Sequence, residues 1–226
     1  MKTNLQKDIQ AWAKRTVEAY IEMAKKWDYG FYTQSPLTQI DASPQYFIIQ
    51  INPGSGGTYT QQKKNIGHDM TPQGLLEGNP VWDRHAEWGN FRNLRSLFSQ
   101  IEGGNPLDDD RNFILTNASF FNTVKATGDI YQTIPQTLPL TLELADIVKP
   151  QHIVVLGSNL HHIIKQFGGN VSVEPTQFPR IKKGHIHGIE TIYIDHPSYY
   201  RYSKQDTRQL LKRWHTMPLE QALQNT

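Results

Sequence analysis

Apolar residues recur at three- and four-residue steps from Leu5 through Ile9, Trp12, Ala13, Tyr20, Ile21 and Ala24 to Trp27, the spacing that lines one face of a helix. Thr3 followed by Gln6 reads as a capping box, so the pattern predicts a long amphipathic helix over 4–27. Past a turn-rich stretch holding Pro36 and Pro44 the period changes. Tyr46-Phe-Ile-Ile-Gln-Ile51, Asn112-Phe-Ile-Leu-Thr116, His152-Ile-Val-Val-Leu156 and Glu190-Thr-Ile-Tyr-Ile194 are short apolar runs, as expected of strands buried on both faces. Helical spacing returns between them, in Leu94, Leu97, Phe98 and Ile101, in Leu140, Leu144, Ile147 and Val148, and in Leu160, Ile163, Ile164 and Phe167 opened by Ser158. Ser203 with Asp206 opens a last helix carrying Leu210, Leu211 and Trp214.

Strands that alternate with helices imply parallel βαβ units. The expected architecture is α/β, a three-layer α/β/α sandwich around a central, mainly parallel four-stranded sheet. One domain is expected over 1–226, with its core in 46–214. Gly56 to Arg92 and Asp129 to Pro139 are long, Gly/Pro-punctuated connections and read as binding loops.

With 226 residues the chain is long enough for one sizeable core, and 37% hydrophobic residues with 16 glycines supply it. Twenty-three basic against 21 acidic residues leave a net charge of +2, too little for a general polyanion-binding field. The charge is uneven, however. Arg180 to His215 holds eight Lys and Arg against three acids, with Tyr199, Tyr200, Tyr202 and Trp214 interleaved, which suits a phosphate-and-base surface as well as an ordinary solvated helix face. The absence of cysteine excludes disulfides, thiolate metal sites, iron–sulfur clusters and a cysteine nucleophile. A polar N-terminus and the lack of any long apolar run lead us to expect a soluble, cytoplasmic protein with no membrane association.

Ligands of open parallel sheets bind beyond the carboxyl ends of the strands, and there this chain is polar: Asn52-Pro-Gly-Ser-Gly-Gly57, Asn117-Ala-Ser-Phe-Phe-Asn122, Gly157-Ser-Asn159 and Asp195-His-Pro-Ser198. The glycine loop is not a P-loop, since no Lys follows at the required spacing. It is not a dinucleotide fingerprint either, since Tyr59 stands where the third Gly belongs, and Pro53 rules out a nucleophile elbow around Ser55. Each residue has a plain alternative: a tight turn for the glycines, a loop tie for Asn117, a turn role for His196. His185-x-His187 lacks a carboxylate at ligand spacing, so no metal is expected. His161-His162 and Asp108-Asp-Asp110 read as solvated features.

Taken in order, Ile-Asn-Pro-Gly after the first strand, Leu-Thr-Asn-Ala after the second, Val-Val-Leu-Gly on the third and His-Pro-Ser after the fourth resemble the uracil-DNA glycosylase superfamily. The resemblance spans 46–198, about two thirds of the chain. Asn52 in the first motif with His196 in the last is similar to the single-strand-selective monofunctional class. The classical class has Asp in the first motif, and the mismatch-specific class lacks that His.

The resemblance implies a monofunctional glycosylase that flips uracil or a related damaged pyrimidine out of DNA and hydrolyses its N-glycosidic bond. Asn52 would hold the attacking water, Asn117 would read the pyrimidine edge and His196 would stabilise charge on the departing base. Pro53 and Gly54 would line the base pocket, and Phe120, Phe121 and Tyr59 are the aromatic candidates for stacking on the base. Ser198, Tyr199, Tyr200, Arg201 and Lys204 would contact DNA, the expected partner. No cofactor and a monomeric state are expected. Two departures stand out: a long insert between Gly57 and about Asn90, and Tyr199-Tyr200 where the family's last motif continues with Pro. A glycosylase-fold protein that binds nucleic acid or nucleotide without excision, and a hydrolase of free nucleosides, are the competing readings.

Overall fold

A computed structural model describes residues 2–54, 57–64, 70–123, 128–157, 159–198 and 204–224, of which 2, 3 and 62–64 are described by backbone alone. Helix α1 (Lys2–Trp27) buries Ile9, Trp12, Ala13, Tyr20 and Ala24, the positions whose spacing predicts it. It begins at Lys2, so Thr3 lies within the helix and not at its cap. The Gln6 amide instead donates to the carbonyls of Leu37 and Ile40, at 3.2 and 2.5 Å.

The four apolar runs become strands β1 (Tyr46–Gln50), β2 (Phe113–Asn117), β3 (His152–Leu156) and, last in the chain, β6 (Ile189–Ile194). They pair in parallel in the order β2-β1-β3-β6. The sheet does not stop at the four expected strands. Strand β5 (Ile181–Ile186) joins β6 antiparallel and strand β4 (Val171–Pro175) joins β5 antiparallel, giving six strands in the order β2-β1-β3-β6-β5-β4. These two lie at one side of the sheet, where β4 buries none of its residues fully and β5 only Ile181, Gly184 and Ile186, so they carry no continuous apolar run. Two devices hold them. His187 (φ 51°) and Gly188 (φ 86°) make the two-residue turn between β5 and β6, in which both positions need positive φ. At Gly184 the β4 backbone passes so close that a Cβ would stand 1.9 Å from the carbonyl oxygen of Ser172.

Alternate residues of β1 feed two separate cores. Phe47 and Ile49 pack with α1, α5 (Gly128–Val148) and α6 (Leu160–Phe167), whereas Tyr46 and Ile48 pack with α4 (Gly89–Arg95), α7 (Lys204–Trp214) and α8 (Leu219–Gln224). Helices therefore cover both faces of the sheet. Among the described residues no helix is long and apolar enough to cross a membrane.

Residues 129–139, expected as a loop, are helical and belong to α5, with Pro135 and Pro139 inside the helix. Thr hydroxyls stitch this helix to itself and to the sheet. Thr133 donates to the Ile130 carbonyl at 2.8 Å, Thr137 to the Ala118 carbonyl at 2.8 Å and Thr141 to the Asn117 carbonyl at 2.7 Å. The connection expected over 56–92 likewise contains α2 (Tyr59–Lys64), α3 (Pro72–Glu77), a 3-10 turn over Trp82–Glu87 and the start of α4.

Candidate functional site at the carboxyl edge of the sheet

Strand register sets the geometry. Gln50 stands opposite Asn117, Ile49 opposite Val155, and Leu156 opposite Ile194. The chain therefore leaves β1, β2, β3 and β6 at one edge, and Asn52, Gly157 and His196 all follow directly from it. At about 4.8 Å per strand, β1 and β6 lie about 10 Å apart there.

A cleft of about 350 Å³ opens at this edge. Ile51 lines it from the end of β1, Gly157 and Asn159 from the β3–α6 connection, and Asp195 with His196 from the end of β6. Tyr131 enters from α5 and Arg180 from the turn just before β5. Asp195 exposes 11% of its side chain and accepts a 2.6 Å bond from Arg180 Nη1, so a mostly buried carboxylate anchors a guanidinium at the wall.

His196 is half-buried, and burial lowers its pKa below the usual imidazole value. Its Nδ1 lies 3.3 Å from the Ser198 N–H. As Nδ1 accepts that bond, the neutral ring carries its proton on Nε2, as a hydrogen-bond donor.

Asn52 is fixed through its amide nitrogen, which donates to the Thr123 carbonyl and to Thr123 Oγ1, both at 3.0 Å. Its Oδ1 has no protein partner among the described residues. Asn117 ends β2 fully buried, and neither Oδ1 nor Nδ2 has a hydrogen-bond partner among the described residues. Leaving both ends of an amide unsatisfied costs about 1–3 kcal/mol per group, and such a group calls for an explanation. Neither Asn52 nor Asn117 contributes to the wall of the cleft that holds His196.

The remaining expected residues are dispersed. Pro53 accepts a 3.2 Å bond from the Gln34 amide, and Gly54 is exposed with φ 80°. Tyr59 opens α2, half-buried, with its N–H on the Asp28 carbonyl at 3.2 Å. Phe120 and Phe121 are fully buried and do not line the cleft that holds His196. Phe120 stacks on Tyr20 with ring centres 5.2 Å apart, and Phe121 packs on Tyr20 at 4.9 Å and edge-on to Phe31 at 6.2 Å. As placed, they are core residues under α1 and not an exposed stacking surface. Ser198 is exposed. Lys204 donates to Asn93 Oδ1 at 3.0 Å and so ties α7 to α4. Tyr199, Tyr200 and Arg201 lie outside the described residues, as do Ser55, Ser158 and Ser203.

Three features read as solvated or doubtful have defined partners. His161 is 6% exposed and meets Lys182 Nζ at 2.7 Å. Asp110 accepts the Trp82 indole N–H at 2.7 Å, and Asp108 pairs with Arg95. His187 bonds Asp146 and the Gly168 carbonyl, while His185 lies across from Glu190 in the β5–β6 ladder. Tyr131 and Arg180 are the cleft residues that sequence reasoning missed. The repeat Ile130, Thr133, Ile134, Thr137, Leu138 pointed to the helix that carries Tyr131, but the two prolines concealed it. Among the described residues no three His, Asp or Glu side chains gather as metal ligands would. No protein-family model matches the chain, and no curated protein matches it significantly.

Proposed function

We propose that the protein is a monofunctional DNA glycosylase of the uracil-DNA glycosylase type, a three-layer sandwich that hydrolyses the N-glycosidic bond of uracil or a related damaged pyrimidine in DNA. The observation that carries this reading is the side-chain amide of Asn117. A donor and an acceptor stand side by side, fully buried and without protein partners among the described residues, at the sheet edge where ligands of parallel sheets bind. A pyrimidine offers the complementary acceptor and donor along its edge, and a flipped base read in a pocket would satisfy both.

Other groups at the same sheet edge support the same chemistry. Asn52 cannot take a proton at neutral pH. With Nδ2 tied to Thr123, its Oδ1 is left to orient a water molecule. His196, neutral and with its proton on Nε2, donates a hydrogen bond to the negative charge that gathers on the departing base. Tyr131 supplies an aromatic ring in the cleft on which a base stacks.

The test is incubation with end-labelled single- and double-stranded oligonucleotides carrying one uracil, followed by alkali and a denaturing gel. Breaks that appear after alkali and disappear in Asn117→Ala and Asn52→Ala are the expected result. Intact strands in every lane, across a panel of damaged bases, reject excision. If binding then persists, it is replaced by the reading in which nucleic acid or nucleotide is held without being cut.

A further inference from the structure

Next to the cleft that holds His196 lies a smaller cavity of about 160 Å³, and the two share Gly157, Arg180 and Asp195. The smaller one is basic. Lys182 lies in β5, two residues after Arg180 in the turn that precedes the strand, and both line the cavity, while His161 comes from the first turn of α6. Lys182 Nζ lies 2.7 Å from His161 Nε2, a cation against a nitrogen base, and none of its described contacts is a carboxylate. Lys183, one residue on and so on the opposite face, is taken up by Glu220 and by Glu174 at 3.7 Å. Asp195 is the acid in the cavity wall, and it is engaged by Arg180 at 2.6 Å.

Lys182 and Arg180 thus meet at a cavity where, among the described residues, the one wall carboxylate already has a partner. Lys and Arg recognise phosphate oxygens through charge-assisted hydrogen bonds. At about five water volumes, the space admits one phosphate group. His161 accepts one ammonium hydrogen and so restricts where the other two point.

We propose that this cavity is a phosphate subsite. Lys182 and Arg180 bind one phosphate group of a nucleic-acid strand, or of a smaller phosphate ester, whose base occupies the adjoining cleft. The proposal rests on reading that cleft as a nucleotide site.

The full chain is compared as wild type, Lys182→Gln, Lys182→Arg and Lys183→Gln. Binding of a fluorescent single-stranded oligonucleotide carrying one uracil is followed by anisotropy across a salt series, and binding of inorganic pyrophosphate is measured by titration. Lys182→Gln is expected to weaken oligonucleotide binding about tenfold or more and to reduce the slope of log K against log salt by about 0.7. Lys182→Arg keeps the affinity. Lys183→Gln, which removes the same charge from the other face, leaves affinity and slope alone. Loss of pyrophosphate binding confined to Lys182→Gln, with oligonucleotide binding unchanged, assigns the cavity to a small phosphate ester. Equal effects of the two glutamine variants, no effect of either, or a wild type that binds neither probe overturn the proposal. Base release is scored on the same samples. Its absence alongside Lys182-dependent binding rejects excision alone, and its presence alongside Lys182-independent binding rejects the subsite alone.

Discussion

His187 and Asp146 join the β5–β6 turn to α5: the imidazole Nδ1 stands 2.8 Å from both carboxylate oxygens, while Nε2 stands 2.8 Å from the Gly168 carbonyl. A neutral ring offers one N–H, and here both nitrogens face acceptors, which favours the imidazolium. Burial opposes that charge, but the hydrogen bonds to Asp146 and Gly168 outweigh it, and the pKa is raised above 6.5. A group whose pKa rises on folding stabilises the fold fully below its unfolded value and loses that contribution as pH climbs through the folded value. His187→Asn keeps a side chain that tolerates positive φ. It is expected to lower the Tm by about 2–4 °C at pH 6, equivalent to about 1 kcal/mol in a chain of this size. By pH 8.5 the gap between variant and wild type should narrow in thermal melts. A gap that stays constant with pH would exclude the ion pair as its source.

His152 has the opposite sign. Its ring lies 4.3 Å from that of Trp214 at the start of β3, its Nδ1 is buried without a partner among the described residues, and burial pushes its pKa down to about 4. The unfolded chain therefore binds a proton between about pH 6.5 and 4 that the folded chain refuses, and stability falls as the pH is lowered through that window. The expected loss is about 2–3 kcal/mol by pH 4. Urea midpoints for wild type and His152→Asn at pH 7 and pH 4.5 check it. The wild type should lose more stability on acidification than the variant.

Phe120 and Tyr131 separate core from site. Phe120 is fully buried against Tyr20, whose hydroxyl also accepts its N–H at 3.0 Å, so Phe120→Ala is expected to destabilise the fold by about 3–5 kcal/mol. Tyr131 lines the cleft and is half-buried. Tyr131→Ala should change stability by less than about 1.5 kcal/mol while weakening oligonucleotide binding roughly five- to hundredfold, the range for loss of one stacked base. Denaturant melts and anisotropy on the same preparations distinguish the two. The reverse pattern would return the stacking role to Phe120.

Thr123 holds Asn52 by its carbonyl and its hydroxyl. If Asn52 orients the attacking water, Thr123→Val removes one of the two tethers, and kcat should fall about tenfold with KM unchanged. Asn52→Ala should lose about a hundred- to thousandfold. Single-turnover base-release rates measure both, and equal losses for the two variants would argue against a positioning role for Thr123.

The parallel strands, α1 and the polar strand ends follow from the amino-acid sequence alone, because burial on both faces of a strand, or on one face of a helix, writes its own period into neighbouring residues. Asn52, Asn117 and His196 stand out for the same reason: each lies within two residues of the end of such a run. Other features were decided in three dimensions. Strands β4 and β5 sit at one side of the sheet and need little apolar sequence, so they surfaced only through the pairing of β5 with β6 and of β4 with β5. Helix α5 survives two prolines because remote partners hold it, among them the Ala118 and Asn117 carbonyls and the Trp12 indole on the Leu140 carbonyl. Phe120 and Phe121 occupy a loop by position and a core by packing, because α1 and the Phe31 bridge close over them. Arg180, Lys182 and His161 meet only when the β5 strand folds beside α6. Local sequence records which side of an element is buried. It carries no record of the distant segment that does the burying, and that segment decided which side chains share a cavity here.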